Sequence, residues 1–309
     1  MKISCSVIII NYNTSDLTLE AIASVLQHSQ GTKTEIIVVD NASKPADLHA
    51  LEEGIQNFEN VFLYPSRINL GFGGGNMYGV QKARGNYYIF LNSDTYLTED
   101  SIKIGSDFLN THPDCAMVGI RSTDEHGASS KNFDYPLSFW HELFGDQVTR
   151  VISFNKLPNR RADLDSPTEV GSVQGSFLMV RATDFNAVGG FDSNLFLYYE
   201  EHDLSFRLRK YQRKSTFYLP QTSYVHLKGK STPGSYLMKK ELRISQFYVI
   251  RKNLGLLTYL LFYMVSFFKY LFKAPFSRKN RNYLGLVLRG VPLSESLKHK
   301  QVIKDHPEL

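Results

Sequence analysis

The chain has 309 residues, 42% hydrophobic and 21% charged, a composition that supports one large core or two modest ones and excludes a disordered protein. Of its 35 Lys/Arg and 30 Asp/Glu, nine and three fall in residues 269–309, leaving 26 and 27 for the rest. The net charge of +5 therefore belongs to a basic tail beside an aromatic-rich apolar segment, a pairing that points to an anionic membrane surface and away from nucleic acid.

The only cysteines, Cys5 and Cys115, form no Cys-x-x-Cys pair, which argues against a disulfide framework or a structural zinc site. The first apolar run, residues 7–10, ends at Asn11 and is too short for a signal peptide, so the expected location is the reducing cytoplasm.

In chain order, "ISCSVIII", "TEIIVVD", "NVFLY", "NYYIFLN" and "CAMVGI" are β-branched or aromatic runs of strand length. Between the first two, "SDLTLEAIASVLQHS" places Leu17, Ala21, Ile22, Val25 and Leu26 on one helical stripe, with Ser15 or Asp16 available as a cap. Strand alternating with helix predicts an α/β fold with a mostly parallel sheet, whose ligands bind beyond the carboxyl ends of the strands. Residues 121–168, holding the single Trp140 and His141, form a turn-rich insertion expected to carry short helices or a mobile, substrate-facing segment. Strand-like "SVQGSFLMV", "STFYL" and "TSYVHL" follow, and from about Ser235 the pattern is helical and apolar. Residues 254–268 lack charge and are bracketed by Arg251, Lys252 and Lys269; at fifteen residues they fall short of a bilayer span and suit either an interfacial helix or a buried core helix.

The strand ends carry the chemistry. Asp40 closes "IIVVDNAS", where a carboxylate can accept from a nucleobase imide or a ribose hydroxyl, or cap the next helix, a role open also to Asn41 or Ser43. After the third strand, "NLGFGGGNMYG" holds five glycines in eleven residues and leads into a helical stretch. A dinucleotide fingerprint would instead put its glycines in the first strand-to-helix turn, here "NYNTSDL", and no Walker Gly-Lys-Ser/Thr follows. "FLNSDT" ends the fourth strand with Asp94 two residues past Asn92, either a hard oxygen ligand for Mg²⁺ or Mn²⁺ or an Asx turn. His226, near Lys228 and Lys230, is a second metal ligand or a structural imidazole. In "FLYYEEHDLSFRLRK", Glu200, Glu201 and Asp203 gather at the start of a helix with Leu204, Leu208 and Tyr211 spaced behind them; first-turn acids favour a helix N-terminus by ~0.3–1 kcal/mol, so capping alone could explain them.

Taken together, "SVIIINYNT", "VVDNAS", "NLGFGGGN", "LNSDT", "GGFD" and "LYYEEHDLSFRLR" resemble the family 2 glycosyltransferases over residues 3–231, and within them the bacterial rhamnosyltransferases of polysaccharide assembly. The resemblance implies the A-type glycosyltransferase (GT-A) fold in residues 1–232, with a nucleotide-binding part to about 120 and an acceptor-binding part from 121, followed by a helical, membrane-associating region over 233–309. It implies an inverting transfer of a sugar, L-rhamnose from dTDP-L-rhamnose, onto a polyprenyl-diphosphate-linked saccharide at the inner face of the membrane, with a Mn²⁺ or Mg²⁺ ion. A UDP- or GDP-hexose donor, or a non-catalytic sugar-nucleotide-binding subunit, is the alternative.

Residue by residue, the resemblance implies a donor site of Asn11, Asp40, Asn41, Asn69, residues 71–76 with Gly71, Phe72 and Asn76, Asn92 and Asp94. Asp94 is then the metal-ligating member of an Asp-x-Asp-like motif whose first position is Asn92, and His226 the late metal ligand. Glu201 matches the general base, with Glu200 its pair and Asp203 holding the loop or an acceptor hydroxyl. The family has Asp where this chain has Glu201, which makes Asp203 or Asp192 the substitutes should the longer side chain misplace its carboxylate.

Overall fold

The computed structural model describes residues 4–304 apart from 131–132, 155, 161 and 228–234. Its first half alternates as the sequence pattern predicts: β1 (Cys5–Asn11), α1 (Ser15–His28), β2 (Thr34–Asp40), α2 (Pro45–Ile55), β3 (Val61–Pro65), α3 (Gly71–Val80), β4 (Tyr87–Asn92), β5 (Thr95–Leu97), α4 (Ser101–Thr111) and β6 (Cys115–Thr123). The insertion contributes β7 (Phe133–Asp134) and α5 (Phe139–Ile152), followed by β8 (Thr168–Val170), β9 (Ser172–Val173), β10 (Phe177–Arg181) and α6 (Ala182–Ala187). The chain then runs through α7 (Glu200–Arg207), β11 (Ser215–His226), α8 (Tyr236–Lys273) and α9 (Arg278–Leu288).

The main sheet has the order β3-β2-β1-β4-β10-β6-β11-β5, with β8 on β11. The pairs among β1, β2, β3 and β4 are parallel, as is β6 with β11, whereas β10 runs antiparallel between β4 and β6. Period-two alternation sends Val7 and Ile9 into one core layer with Ile22 and Val25 of α1, and Ile8 into the other with Phe90, Phe185 and Leu204. Buried on both faces, β1 and β2 read as continuous apolar runs. Strand order reverses at β1, which has β2 on one side and β4 on the other, opening a crevice beyond their carboxyl ends.

Several local expectations change in the folded chain. Helix α1 is preceded by Thr14, and neither Ser15 nor Asp16 caps it; the orphan Ser15 N–H donates to Asp47 Oδ1 of α2 at 3.0 Å. The glycine-rich run is itself helix α3, because its glycines leave room for neighbours: a Cβ on Gly79 would sit 2.6 Å from Ile8 Cγ2. "SVQGSFLMV" is split into β9 and β10, while "STFYL" and "TSYVHL" are one strand with an irregularity between Leu219 and Ser223. Of the stripe behind the acids, Leu204 and Leu208 are buried but Tyr211 is exposed.

The uncharged stretch 254–268 lies within α8, which kinks at Gly255 (φ 86°, ψ 171°). The two limbs fold back on each other, with Phe247 and Phe262 ring centroids 4.9 Å apart, and α9 completes the cluster through Tyr283, Leu286 and Val287. The second limb is neither wholly core nor free, since Phe262, Ser266 and Tyr270 are buried whereas Leu256, Leu257, Leu260, Leu261, Met264 and Phe268 are exposed.

Candidate active site

The crevice at the reversal point holds a cavity of about 360 Å³ lined by residues including Ile10, Tyr12, Asn41, Asn69, Phe72 and Asn92. Of the sequence-predicted donor residues, Asn41, Asn69, Gly71, Phe72 and Asn92 line it, whereas Asn11, Asp40, Asn76 and Asp94 are buried and do not. The inner layer is a saturated polar node: Asn11 Nδ2 donates to Asp40 Oδ1 (2.8 Å), Ser43 Oγ (3.1 Å) and Asp47 Oδ2 (2.8 Å), while Asn11 Oδ1 accepts from Thr18 Oγ1 (2.8 Å). Asp40 is fully buried and also accepts from the Ser43 N–H at 2.9 Å, so it caps the turn after β2. Asp47 is drawn into the same node: burial opposes its ionisation, but the Ser15 N–H and the Asn11 amide outweigh that and hold it below the usual carboxylate range.

In the outer layer Asn41 clamps the glycine-rich turn, accepting from Leu70 N–H (3.1 Å) and donating to Gly71 C=O (3.0 Å), and Asn69 Oδ1 accepts from Gly71 N–H at 2.8 Å. Gly71 has φ +73°, and a Cβ there would lie 2.1 Å from the Phe196 carbonyl oxygen, which accepts from Phe72 N–H at 2.8 Å. The turn is thereby fastened to the segment that leads into α7. Asn76 donates to Phe72 C=O at 3.0 Å, and its buried Oδ1 has no hydrogen-bond partner among the described residues.

Asp94 and His226 meet because β5 pairs with β11 in a register that sets His226 opposite Thr95. His226 Nε2 lies 3.4 Å from the buried Asp94 Oδ1, and Leu227 N–H donates to the Asp94 carbonyl at 2.9 Å. One carboxylate and one imidazole at the open end of a sheet fit a divalent cation that completes its coordination with ligand oxygens and water. Lys228 and Lys230 lie outside the described residues.

Helix α7 begins after two left-handed residues, Tyr198 (φ 76°) and Tyr199 (φ 72°), which turn its acidic first turn inward. Glu200 is buried against α3, its Cγ within 3.3 Å of where a Cβ on Gly73 would stand, and its Oε1 has no hydrogen-bond partner among the described residues. Glu201 keeps 21% of its side chain exposed, with Oε1 4.0 Å from His202 Nδ1. Burial, reinforced by the neighbouring Glu201, pushes Glu200 well above the usual carboxylate range. Burial raises Glu201 as well, opposed by His202 and helped by Asp134.

Asp203 and Asp192 are bound to cations. Asp203 accepts from Arg207 Nε (2.8 Å) and Asn253 Nδ2 (2.9 Å), and the Lys252 ammonium bridges it to Asp192 with 2.7 Å to each carboxylate. Burial opposes the ionisation of Asp192, but Lys252, the Asn194 N–H and the Tyr248 hydroxyl overcome it and lower its pKa. A further Asp134, His141 and Asp146 cluster stands beside α7, close enough together to hold a metal. Arg160 already supplies its cation, 2.6 Å from Asp134 and 2.7 Å from Asp146, which makes the cluster a poorer metal site than the Asp94 and His226 pair.

The sequence reading missed Tyr12, exposed at the cavity rim; Phe196, Leu197, Ser235 and Met238, which wall the cavity from distant parts of the chain; and Lys252. Tyr12 was within reach, since it follows a strand-end Asn; Lys252 carries no local signal, its partner Asp192 being 60 residues away.

Comparison with known proteins agrees with this architecture. The sheet, crevice and flanking helices are those of the GT-A fold: a mannosyltransferase from Pyrobaculum calidifontis, solved with GDP-Man and Mn²⁺, superposes with a TM-score of 0.56 at 12% identity over 96% of this chain and 87% of that one. GalNAc-T7, solved with UDP, GalNAc and Mn²⁺, gives 0.57 at 17% identity over 79% of this chain and 47% of that one. The family model "Glycosyl transferase family 2" matches residues 6–189, and the chain belongs to that family. It is 28% identical over 237 residues, 71% of this chain and 76% of the relative, to an N-acetylglucosaminyl-diphospho-decaprenol L-rhamnosyltransferase of Mycobacterium tuberculosis. Over 181 residues, 56% of this chain and 66% of the relative, it is 28% identical to the rhamnosyltransferase WbbL of Escherichia coli K12.

Proposed function

We propose that the protein is an inverting glycosyltransferase that moves L-rhamnose from dTDP-L-rhamnose onto a polyprenyl-diphosphate-linked saccharide at the cytoplasmic face of the membrane. The observation that carries this reading is the cavity at the strand ends, whose lining takes in Asn92 and Ser93 just before the Asp94 and His226 pair and Phe196 and Leu197 just before the Glu200 and Glu201 turn. The donor sugar is drawn from the two rhamnosyltransferase relatives, and the acceptor class from the mycobacterial one.

Glu201, partly exposed, is the base that takes the acceptor hydroxyl proton as its oxygen attacks C1 and the bond from C1 to the nucleotide diphosphate breaks. Asp192 and Asp203, bridged by Lys252 with Arg207 as a second cation on Asp203, are positioning groups that hold α7. A divalent ion held by Asp94 and His226 would absorb the charge of the departing diphosphate. The buried Asn11 and Asp40 node, behind the cavity residues Ile10, Tyr12 and Asn41, shapes the end of the crevice that would take the nucleobase.

Membrane contact rests on the second limb of α8; taken whole across its kink, Tyr236–Lys273 is the one helix among the described residues long and apolar enough by length and composition to cross a membrane. Every exposed position from 256 to 268 on it is apolar, and Lys269, Lys273, Arg278, Lys279 and Arg281 follow, a pattern suited to an anionic interface.

The test of the transferase reading is nucleotide-dependent thermal stabilisation with dTDP, UDP, GDP, CMP and NADH, each with and without Mn²⁺. A ligand at 100 times its Kd adds ~2.7 kcal/mol to the folded state. A Mn²⁺-dependent shift with dTDP is expected; a shift with UDP or GDP alone would change the donor, and none at all would favour a non-catalytic subunit.

A further inference from the structure

Helix α5, in the insertion 121–168, has an inverted surface. Its exposed positions are Trp140, Phe144, Gln147, Val148, Val151 and Ile152, all apolar but one, with Trp140 48% and Val151 70% exposed. Its acids face inward: Glu142 accepts from the Tyr199 hydroxyl and the Gln246 amide at 2.6 Å each, and Asp146 pairs with Arg160. The helix bends at Gly145 (φ 72°), and each half keeps its own stripe, Trp140 with Phe144 and Val148 with Val151 and Ile152. The rings of Trp140 and Phe144 stack at 5.9 Å. An exposed apolar stripe of this kind on a water-soluble surface marks an interaction site.

We infer that α5 is a second membrane-contacting element, seated in the headgroup region of an anionic bilayer beside the active site. Three features commit it to lipid. On its inward side Phe139 and Leu143 pack into the same cluster as Tyr259, Tyr263 and Phe267 of the second limb of α8, which sets α5 beside the limb proposed to meet the membrane. Nearby charge is complementary to anionic lipid, with Lys156 exposed just beyond the helix and no unpaired acid among the described residues of α5. A lone Trp on such a stripe is the side chain that favours the headgroup level. Through the bond from Tyr199 to Glu142, α5 is tied to the residue that opens α7, and two-point contact would present Glu201 to an acceptor whose lipid stays in the bilayer. The inference rests on the proposed lipid-linked acceptor.

Because Trp140 is the only tryptophan, its fluorescence reports α5 alone. Full-length protein is titrated with vesicles of phosphatidylethanolamine and phosphatidylglycerol, and flotation is measured in parallel. Expected are a shift of emission to shorter wavelength, a several-fold loss of quenching by acrylamide, and new quenching by lipids with brominated acyl chains. The double variant Phe144→Asp with Val151→Asp, both at exposed positions, should bind vesicles several-fold more weakly while keeping the thermal stabilisation by nucleotide. Protein that floats with Trp140 unshifted and still quenched by acrylamide overturns the inference, as does protein that fails to float or a double variant that binds like the parent. A shift that grows with protein concentration in the absence of vesicles assigns α5 to a second copy instead. Nucleotide stabilisation of the same sample separates these outcomes from failure of the transferase reading.

Discussion

Glu200 and Glu201 are adjacent in sequence yet differ in circumstance, one sealed against α3 and the other partly exposed beside His202. Both favour the protonated state relative to a free carboxylate, because burial removes water that would solvate the charge. In its proposed role as general base Glu201 must be ionised, so the acidic limb of the rate profile should lie above the ordinary carboxylate pKa, with activity lost as pH falls through it. Glu201→Gln should remove that limb and lower kcat by about 10²–10⁴-fold with donor binding unchanged, read by initial rates against nucleotide titration. For stability the sign is opposite. A native pKa raised above the unfolded value means that the pair's contribution is complete below the unfolded pKa and is lost as pH rises through the native one. Glu200→Gln should therefore raise Tm at neutral pH and lose that advantage in acid, as calorimetry at two pH values would show. Asp94→Ala should abolish the Mn²⁺-dependent part of nucleotide stabilisation and leave the apo melting temperature little changed. Asp40, Asp94 and the acidic turn were legible as residues because each follows a strand or opens a helix, but the pairing of Asp94 with His226 came only from the family resemblance, since their proximity depends on a strand register that local sequence does not encode.

Among the elements, α3 and α7 bear the site and are held by different means. Helix α3 is fixed by close backbone approach, so Gly71→Ala should cost at least about 1–2 kcal/mol for its left-handed φ alone, with the clash at Phe196 adding to this and nucleotide binding falling in step. Helix α7 is fixed by charge, through the Lys252 bridge to Asp203 and Asp192 and the Arg207 pair. Lys252→Met should destabilise by about 1.5–3 kcal/mol, the range for hydrogen bonds to charged groups, measurable by denaturant titration. The glycines of α3 were visible in the sequence as a permissive run, but whether they free a loop or let a helix pack closely depends on what stands opposite, here Ile8, Phe196 and Glu200. The bend of α8 at Gly255 likewise turned a fifteen-residue apolar stretch into one limb of a helical hairpin.

At the scale of the whole molecule, the catalytic sheet and the C-terminal helices are one connected body. Glu241 of α8 accepts from Ser296 Oγ (2.6 Å) and Leu297 N–H (2.8 Å), and Lys304 N–H reaches Arg67 C=O beside the donor crevice at 2.7 Å. Changing Leu257 and Leu261 together to Glu should reduce vesicle flotation without lowering Tm, since both are exposed; unchanged flotation would place the membrane contact elsewhere. By itself the sequence determined the α/β order, the motif-bearing strand ends and the basic apolar tail, because hydrophobic period, turn chemistry and composition are local properties. Only the tertiary structure decided that β10 runs antiparallel inside the sheet, that Lys252 bridges Asp203 and Asp192, that α5 turns its apolar side outward and which register brings His226 beside Asp94. Each of those depends on which distant surfaces bury one another, and that choice is made by the fold as a whole.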